Sequence, residues 1–251
     1  MKRRPAHAYA NGNDNGTGHR PGILARGEGP SRAEHNRPGG VGGHLWRALG
    51  YRGWRIFEIV VSLTVLVVFA PLLVVVAILV RLDSPGPVLY LGKRVGLDRK
   101  PFHLVKFRTH YQDAAERFPE LSRYEFDQDE VGNVRIQFEG DPRITRVGHW
   151  LRCTSIDELP NFWNVLKGEM TFVGPRPELW SMLPYYSGVW LDKFTVRPGI
   201  TGWAQVRGRG NLTVAETNDL DIEYVRNRSV ALDIRIVLET IWQVCCQRDA
   251  L

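Results

Sequence analysis

Three cysteines in 251 residues, Cys153 and the adjacent Cys245 and Cys246, are an odd number without a C-x-x-C spacing. That excludes a disulfide framework and a cysteine zinc site, and it sets a reducing, cytosol-facing environment as the default. His7, His19, His35 and His44 are too dispersed for a metal tract. No apolar run precedes residue 55, so no secretory leader pattern opens the chain, and no internal repeat suggests a solenoid. A basic excess is also missing from most of the chain. Met1 to Arg55 carries ten Lys or Arg against three acidic residues, a net of +7 within a total of +6, leaving the remainder at about −1. With no reader motif beyond that stretch, nucleic acid is not an expected partner.

Residues 1–43 hold ten glycines and four prolines with hardly any aliphatic residues. They cannot bury enough surface to offset ordering entropy, and residues 1–45 are expected to form a disordered Gly/Arg-rich tail. The remainder has ample apolar content for a core, 43% over the whole chain.

From Ile59 to Val80 come 22 residues without a charge. At about 1.5 Å per residue an unbroken helix of this length crosses a hydrocarbon core of roughly 30 Å. Pro71 interrupts it, because its ring clashes with the carbonyl of Val67 and it offers no N–H there. Arg47, Arg52 and Arg55 precede the run, and Arg81, Lys93 and Arg94 follow it. If positive residues stay cytoplasmic, both flanks do, and residues 46–83 are expected to form an interfacial and re-entrant helix–break–helix, with a kinked true span as the alternative. Trp46, Tyr51 and Trp54 are placed to sit at headgroup level. Residues 84–251 form the remaining folded domain, expected to face the cytosol.

In that domain Val88–Leu91 and Phe102–Phe107 read as a hairpin, with Lys106 and Arg108 aimed at one face. Tyr111–Tyr124 has helical spacing, and Val134–Phe138 reads as a strand. Arg143, Arg146 and Arg152 lead into RCTSIDELPNFWNVLKGEMTFVGPRPE (152–178). The adjacent carboxylates Asp157 and Glu158, followed by the rigidly presented guanidinium of Arg176, suit phosphate with a divalent cation. The bland alternative is a capping box, Ser155-x-x-Glu158, beside a proline turn. Against it, Pro160 would fall past the first turn of a helix capped by Ser155. A helix starting near Pro160 and stopping at Gly168 leaves both carboxylates exposed on non-helical backbone, at a positive helix end that favours their ionised form. The aromatics Trp180, Tyr185, Tyr186 and Trp190 suit a membrane interface or a core equally. In VRPGITGWAQVRGRG, glycines hold a close-packed loop after Arg197. Asp219–Arg226 and Leu232–Cys245 are expected helices.

These stretches together resemble the bacterial polyprenyl-phosphate sugar-1-phosphate transferases, the monotopic phosphoglycosyl transferase family. The resemblance covers about residues 52–248. Its carriers are the Pro-broken apolar segment, LVKFRT (104–109), DPRITRVGHW through VGPRPE (141–178), VRPGITGWAQV (196–206) and DIEYV (221–225). It implies an α+β fold, a small mixed catalytic domain, helix-rich with short strands, on the N-terminal re-entrant membrane helix broken at Pro71. It implies transfer of a sugar-1-phosphate from a nucleotide sugar, expected to be UDP-linked, to undecaprenyl phosphate. Asp157 would be the nucleophile, with Glu158 its partner in holding Mg²⁺ or handling the acceptor phosphate. Lys106, Arg152, Arg176 and Arg197 would bind phosphate. The implied partners are a nucleotide sugar, a polyprenyl phosphate lipid and the membrane, with a homo-oligomer left open. The implied location is the bacterial inner membrane, with the catalytic domain on the cytoplasmic face. A catalytically silent membrane scaffold of a glycan-assembly complex is the competing reading. Two residues depart from the family pattern: His110 where Met is usual after KFRT, and Arg207 where Asn is common.

Overall fold

The computed structural model describes residues 41–122, 131–134, 140–208 and 211–245. The expected tail therefore lies outside the described residues up to position 40, as do most of the expected strand at 134–138 and the end of the expected helix at 111–124. The chain divides into two compact units, Met1–Trp54 and Arg55–Leu251. The boundary falls within helix α1 (Val41–Val68), whose side chains before residue 53 are not described. Everything below concerns the second unit.

The apolar run is two helices. α1 ends at Val68, and α2 (Ala70–Asp83) carries Pro71 in its first turn. The two are bent by 60° at the break. Phe69 still receives Leu73 N–H and donates to Val65 O, both at 2.9 Å, so the ladder fails where Pro71 has no hydrogen to give. No single described helix is long and apolar enough to cross a membrane, but this bent pair is by length and composition. The expected break is present. One face of the pair is outward and apolar, including Val60, Leu63, Val67, Val74, Val75 and Ile78. On the other face, Val76 and Val80 pack with Phe107 of the hairpin and Leu151.

The rest is mixed and helix-rich with short strands, as expected. β1 (Leu89–Val95) and β2 (Pro101–Phe107) pair antiparallel from Leu89↔Phe107 to Val95↔Pro101. β4 (Glu178–Leu179) adds to the free edge of β1, giving the order β2-β1-β4. After two short helical turns, α3 (Ala114–Arg117) and α4 (Pro119–Ser122), comes α5 (Arg146–Thr154). Thr145 caps α5 by accepting from Gly148 N–H at 2.9 Å. α6 (Asn161–Lys167) follows, then β3 (Thr171–Val173), which pairs parallel with β5 (Gly199–Thr201). Three helices complete the described residues: α7 (Trp203–Gly208), α8 (Val214–Asn227) and α9 (Val230–Cys245). Thr213 and Glu216 form a complete capping box at the start of α8.

The expectation that left the aromatics at 180–190 undecided resolves to a core: Tyr186 is buried with Val95, Met182 and Phe194, and Trp180, Tyr185 and Trp190 pack against that cluster. The glycine loop is half strand and half helix. Two of its glycines, Gly199 and Gly202, serve one contact with Gly174 of the facing segment, because a Cβ on any of the three would strike backbone across it. Arg108 departs from expectation. Its guanidinium is buried and donates to Ser84 O and Pro85 O at 2.8 Å, fastening the end of α2 rather than joining Lys106 at Asp157.

Candidate active site

The segment bearing the carboxylates is shaped by Ser155, which adopts a left-handed conformation (φ 56°) and ends α5 by donating from its N–H to Arg152 O. Residues Ile156–Glu158 then make one 3₁₀ turn, and α6 begins at Asn161, directly after Pro160. Ser155 makes no side-chain cap bond, so the capping box is absent. Gly168 (φ 82°) stops α6, as expected.

One expectation is corrected here. The carboxylates are not both exposed on non-helical backbone: Asp157 retains only 4% exposure and Glu158 is half-buried, both within the 3₁₀ turn. The turn is folded in against β2, which brings Lys106 Nζ to 3.8 Å from Asp157 Oδ2. Asn164 fixes that contact. Fully buried, it accepts from Val105 N–H at 2.9 Å and donates to His103 O at 2.7 Å, so its amide acts as an extra rung on the edge of β2. Sequence reasoning missed Asn164; its polar side chain amid the apolar residues of NFWNVL was the available signal.

Burial is the largest influence on Asp157, pushing its carboxyl up to about 6, and the charge of Glu158 adds to this. Lys106, Arg152 and Arg176 oppose the rise. Desolvation thus outweighs the helix end that was expected to favour ionisation. Burial also draws Lys106 down, against the pull of Asp157 and Glu158. The carboxylate pair therefore shares one electrostatic site with Lys106, Arg152 and Arg176. Its donors suit a divalent cation: two neighbouring carboxylates whose repulsion a cation would relieve. No cluster of three or more His, Cys, Asp or Glu suited to a metal occurs among the described residues. The two carboxylates are the donor set from which Mg²⁺ takes one or two ligands, with substrate phosphates completing its shell.

Arg197 is placed elsewhere. Its Nη2 lies 3.2 Å from Glu58 Oε2, and its Nη1 donates to Met170 O at 3.3 Å. Glu58, fully buried just ahead of the apolar run, also pairs with Arg55 at 3.2 Å and accepts from Thr171 Oγ1. Arg55 in turn donates to Val165 O and Leu166 O at 2.7 and 2.9 Å, satisfying the last carbonyls of α6. Glu58 was overlooked in the sequence, although a carboxylate three residues after Arg55 at the mouth of a charge-free helix was visible.

Arg176 is the exposed residue of a buried loop, with Val173, Gly174, Pro175, Pro177 and Glu178 all buried around it. Beneath it Lys193, fully buried, donates to Glu178 Oε1 at 2.9 Å and Asn218 Oδ1 at 2.8 Å and lies 2.7 Å from Asp221 Oδ2. Burial alone would lower Lys193, but Asp221 and Glu178 raise it. Of its two carboxylates, Glu178 is held below the usual range by Lys193 despite burial, whereas burial keeps Asp221 above it. Of the departures, His110 is drawn down to about 4, first by burial and then by Arg152, so it is neutral beside the cations. The guanidinium of Arg207 stacks 4.1 Å over Trp203. Of the other upstream arginines, Arg143 is buried on Asp141 at 2.7 Å and Arg146 is solvated.

A buried aspartate within the electrostatic reach of three cations, on a body joined to an apolar bent helix pair, is chemistry suited to anionic, phosphate-bearing ligands. The chain belongs to the bacterial sugar transferase family, which matches residues 51–247. It is 38% identical to an undecaprenyl-phosphate glucose phosphotransferase of Komagataeibacter xylinus, over 78% of this chain and 36% of that protein. It is 35% identical to the exopolysaccharide production protein ExoY of Rhizobium meliloti (strain 1021), over 81% of this chain and 90% of that protein. With a UDP-glucose:undecaprenyl-phosphate glucose-1-phosphate transferase of Caulobacter vibrioides it shares 38% identity, over 74% of this chain and 67% of that protein. The chain thus matches little more than a third of the K. xylinus relative and most of ExoY.

Proposed function

We propose that this chain transfers a sugar-1-phosphate from a UDP-sugar to undecaprenyl phosphate, starting the assembly of a surface polysaccharide or glycoconjugate. The observation that carries the reading is Asp157, buried with Glu158 among Lys106, Arg152 and Arg176. An Asp157 carboxylate oxygen attacks the β-phosphorus, the bond from that phosphorus to the bridging oxygen breaks, and UMP leaves with that oxygen. The sugar phosphate stays on Asp157 as an acyl phosphate. A phosphate oxygen of the lipid then attacks the same phosphorus, the bond to Asp157 breaks, and the free carboxylate is restored with polyprenyl diphosphosugar as product.

A carboxylate approaching a diphosphate meets like charge, and Lys106, Arg152 and Arg176 offset it in a site of low exposure. Asp157 and Glu158 would hold Mg²⁺, which when bound supplies further neutralisation of the diphosphate. The bent helix pair would enter and leave the cytoplasmic leaflet of the inner membrane on one side, holding the site where a soluble nucleotide sugar and a lipid phosphate both arrive.

Membranes bearing the protein, incubated with UDP-glucose or UDP-galactose and undecaprenyl phosphate, should release UMP, and Asp157→Ala should abolish release. Unchanged release from that variant sinks the nucleophile assignment; no release from the parent with any nucleotide sugar favours the silent scaffold. For topology, labels placed ahead of Arg47 and after Leu251 should report the same side. Opposite sides would make the pair a kinked span.

A further inference from the structure

The DIEYV stretch (221–225) belongs to α8, which contributes nothing to the reaction described above. Two of its residues, one turn apart, reach the two ends of the segment carrying Arg176. At the leading end, the Tyr224 hydroxyl lies 3.0 Å from Val173 O and 2.7 Å from Asp233 Oδ1. At the trailing end, Asp221 lies 2.7 Å from Lys193 Nζ, which donates to Glu178 Oε1 at 2.9 Å. Asn218, one turn earlier on α8, accepts from the same ammonium at 2.8 Å. Tyr224, Lys193, Asp221 and Asn218 each retain at most 1% exposure. Between the two grips the chain is buried except at Arg176, whose charge is felt both by Asp157 on one side and by Glu178 and Asp221 on the other.

We infer that α8 is a clamp for the Pro-Arg-Pro loop: Tyr224 holds its start at Val173, Asp221 holds its end through Lys193 and Glu178, and both are positioning residues that aim the Arg176 guanidinium at the substrate diphosphate. The inference rests on the activity proposed above. A guanidinium on an exposed loop has many rotamers and a mobile base. Fixing both ends of the segment removes the backbone part of that freedom, and a displacement of about 1 Å at such a group can cost about a hundredfold in rate.

The test uses the full chain in membranes, with UMP release from the active UDP-sugar as readout. Tyr224→Phe removes only the hydroxyl, and Asp221→Asn keeps the shape while removing the charge. Each should lower kcat/KM by about tenfold to a hundredfold. In an Arg176→Lys background the same substitutions should cost less than about threefold, because the group they aim is already gone. Thermal midpoints should fall equally in both backgrounds. Equal activity losses in both backgrounds would overturn the clamp and leave a purely structural role. Hydrogen exchange gives a reading that needs no activity: Tyr224→Phe should speed exchange of the Gly174 and Arg176 amides, and unchanged exchange there would overturn the inference. If no nucleotide sugar yields UMP with the parent chain, the activity proposal fails while the exchange experiment still decides the clamp.

Discussion

Two buried charge clusters stand close together in this molecule and are built in opposite ways. Around Lys193, the ammonium contacts Glu178, Asp221 and Asn218 within 2.9 Å, inside a fully packed aromatic core. Around Asp157, the nearest cation is 3.8 Å away, and the carboxyl sits at about 6 because burial and Glu158 outweigh the cations. The first cluster has spent its charges on one another. The second keeps them for something else, which is how a binding site differs from a support.

The largest effect that would break this contrast is at the nucleophile. Asp157→Asn should reduce UMP release by about 10⁴-fold or more while raising the thermal midpoint at pH 7.5. The sign follows from a folded carboxyl at about 6 against an ordinary 3.8: ionising it costs folding energy above pH 6, and the amide removes that cost. The gain should vanish below about pH 4, and calorimetry across pH checks it. Lys193→Met should do the reverse. It strands two buried carboxylates and should cost about 3–5 kcal/mol in denaturant unfolding. Lys106→Met, in the looser pair, should cost less stability than Lys193→Met but about 10²–10³ in kcat.

The acid limb of the pH–rate profile sharpens the comparison further. Attack needs the carboxylate, so kcat/KM should fall about tenfold per unit as pH drops below 6. Rising Mg²⁺ should carry that limb to lower pH, since a cation on Asp157 and Glu158 favours the ionised form; a limb that ignores Mg²⁺ would argue against a shared metal. Glu58→Gln bears on stability alone, with an expected cost of about 1.5–3 kcal/mol through its bonds to Arg55 and Arg197. If Arg197→Ala adds nothing further to the stability loss in that background yet still lowers UMP release, the guanidinium serves phosphate as well as Glu58.

Much of the fold was open to reading because its signals are local. Pro71 marks the helix break, the Val88–Phe107 alternation marks the hairpin, and Gly168 marks the end of α6. The S/T-x-x-E pattern stands at both Ser155 and Thr213, and only the second of these two copies caps a helix. At Thr213 nothing competes. At Ser155 the preceding helix is ending and Pro160 follows, so the residue turns left-handed instead. The site was legible in residue types and order but not in burial. Nothing in IDEL says that β2 will fold over Asp157, because the cover comes from Asn164 gripping a strand edge some sixty residues earlier in the chain. Arg197 shows the same limit: its partner, Glu58, lies well over a hundred residues away and ahead of the apolar run.

The contact between Gly174 and Gly199 has a mechanical meaning. The backbones touch with no side chain between them, and Gly174 N–H donates to Thr201 O while Gly199 N–H donates to Pro175 O, both at 2.9 Å. The loop that carries Arg176 and the loop that follows Arg197 therefore behave as a single piece, with one arginine on its solvent side and the other locked to a helix of the apolar pair. Neither loop can be displaced without carrying the other, so the spacing of the two backbone points that bear these arginines is set by the scaffold rather than by the substrate.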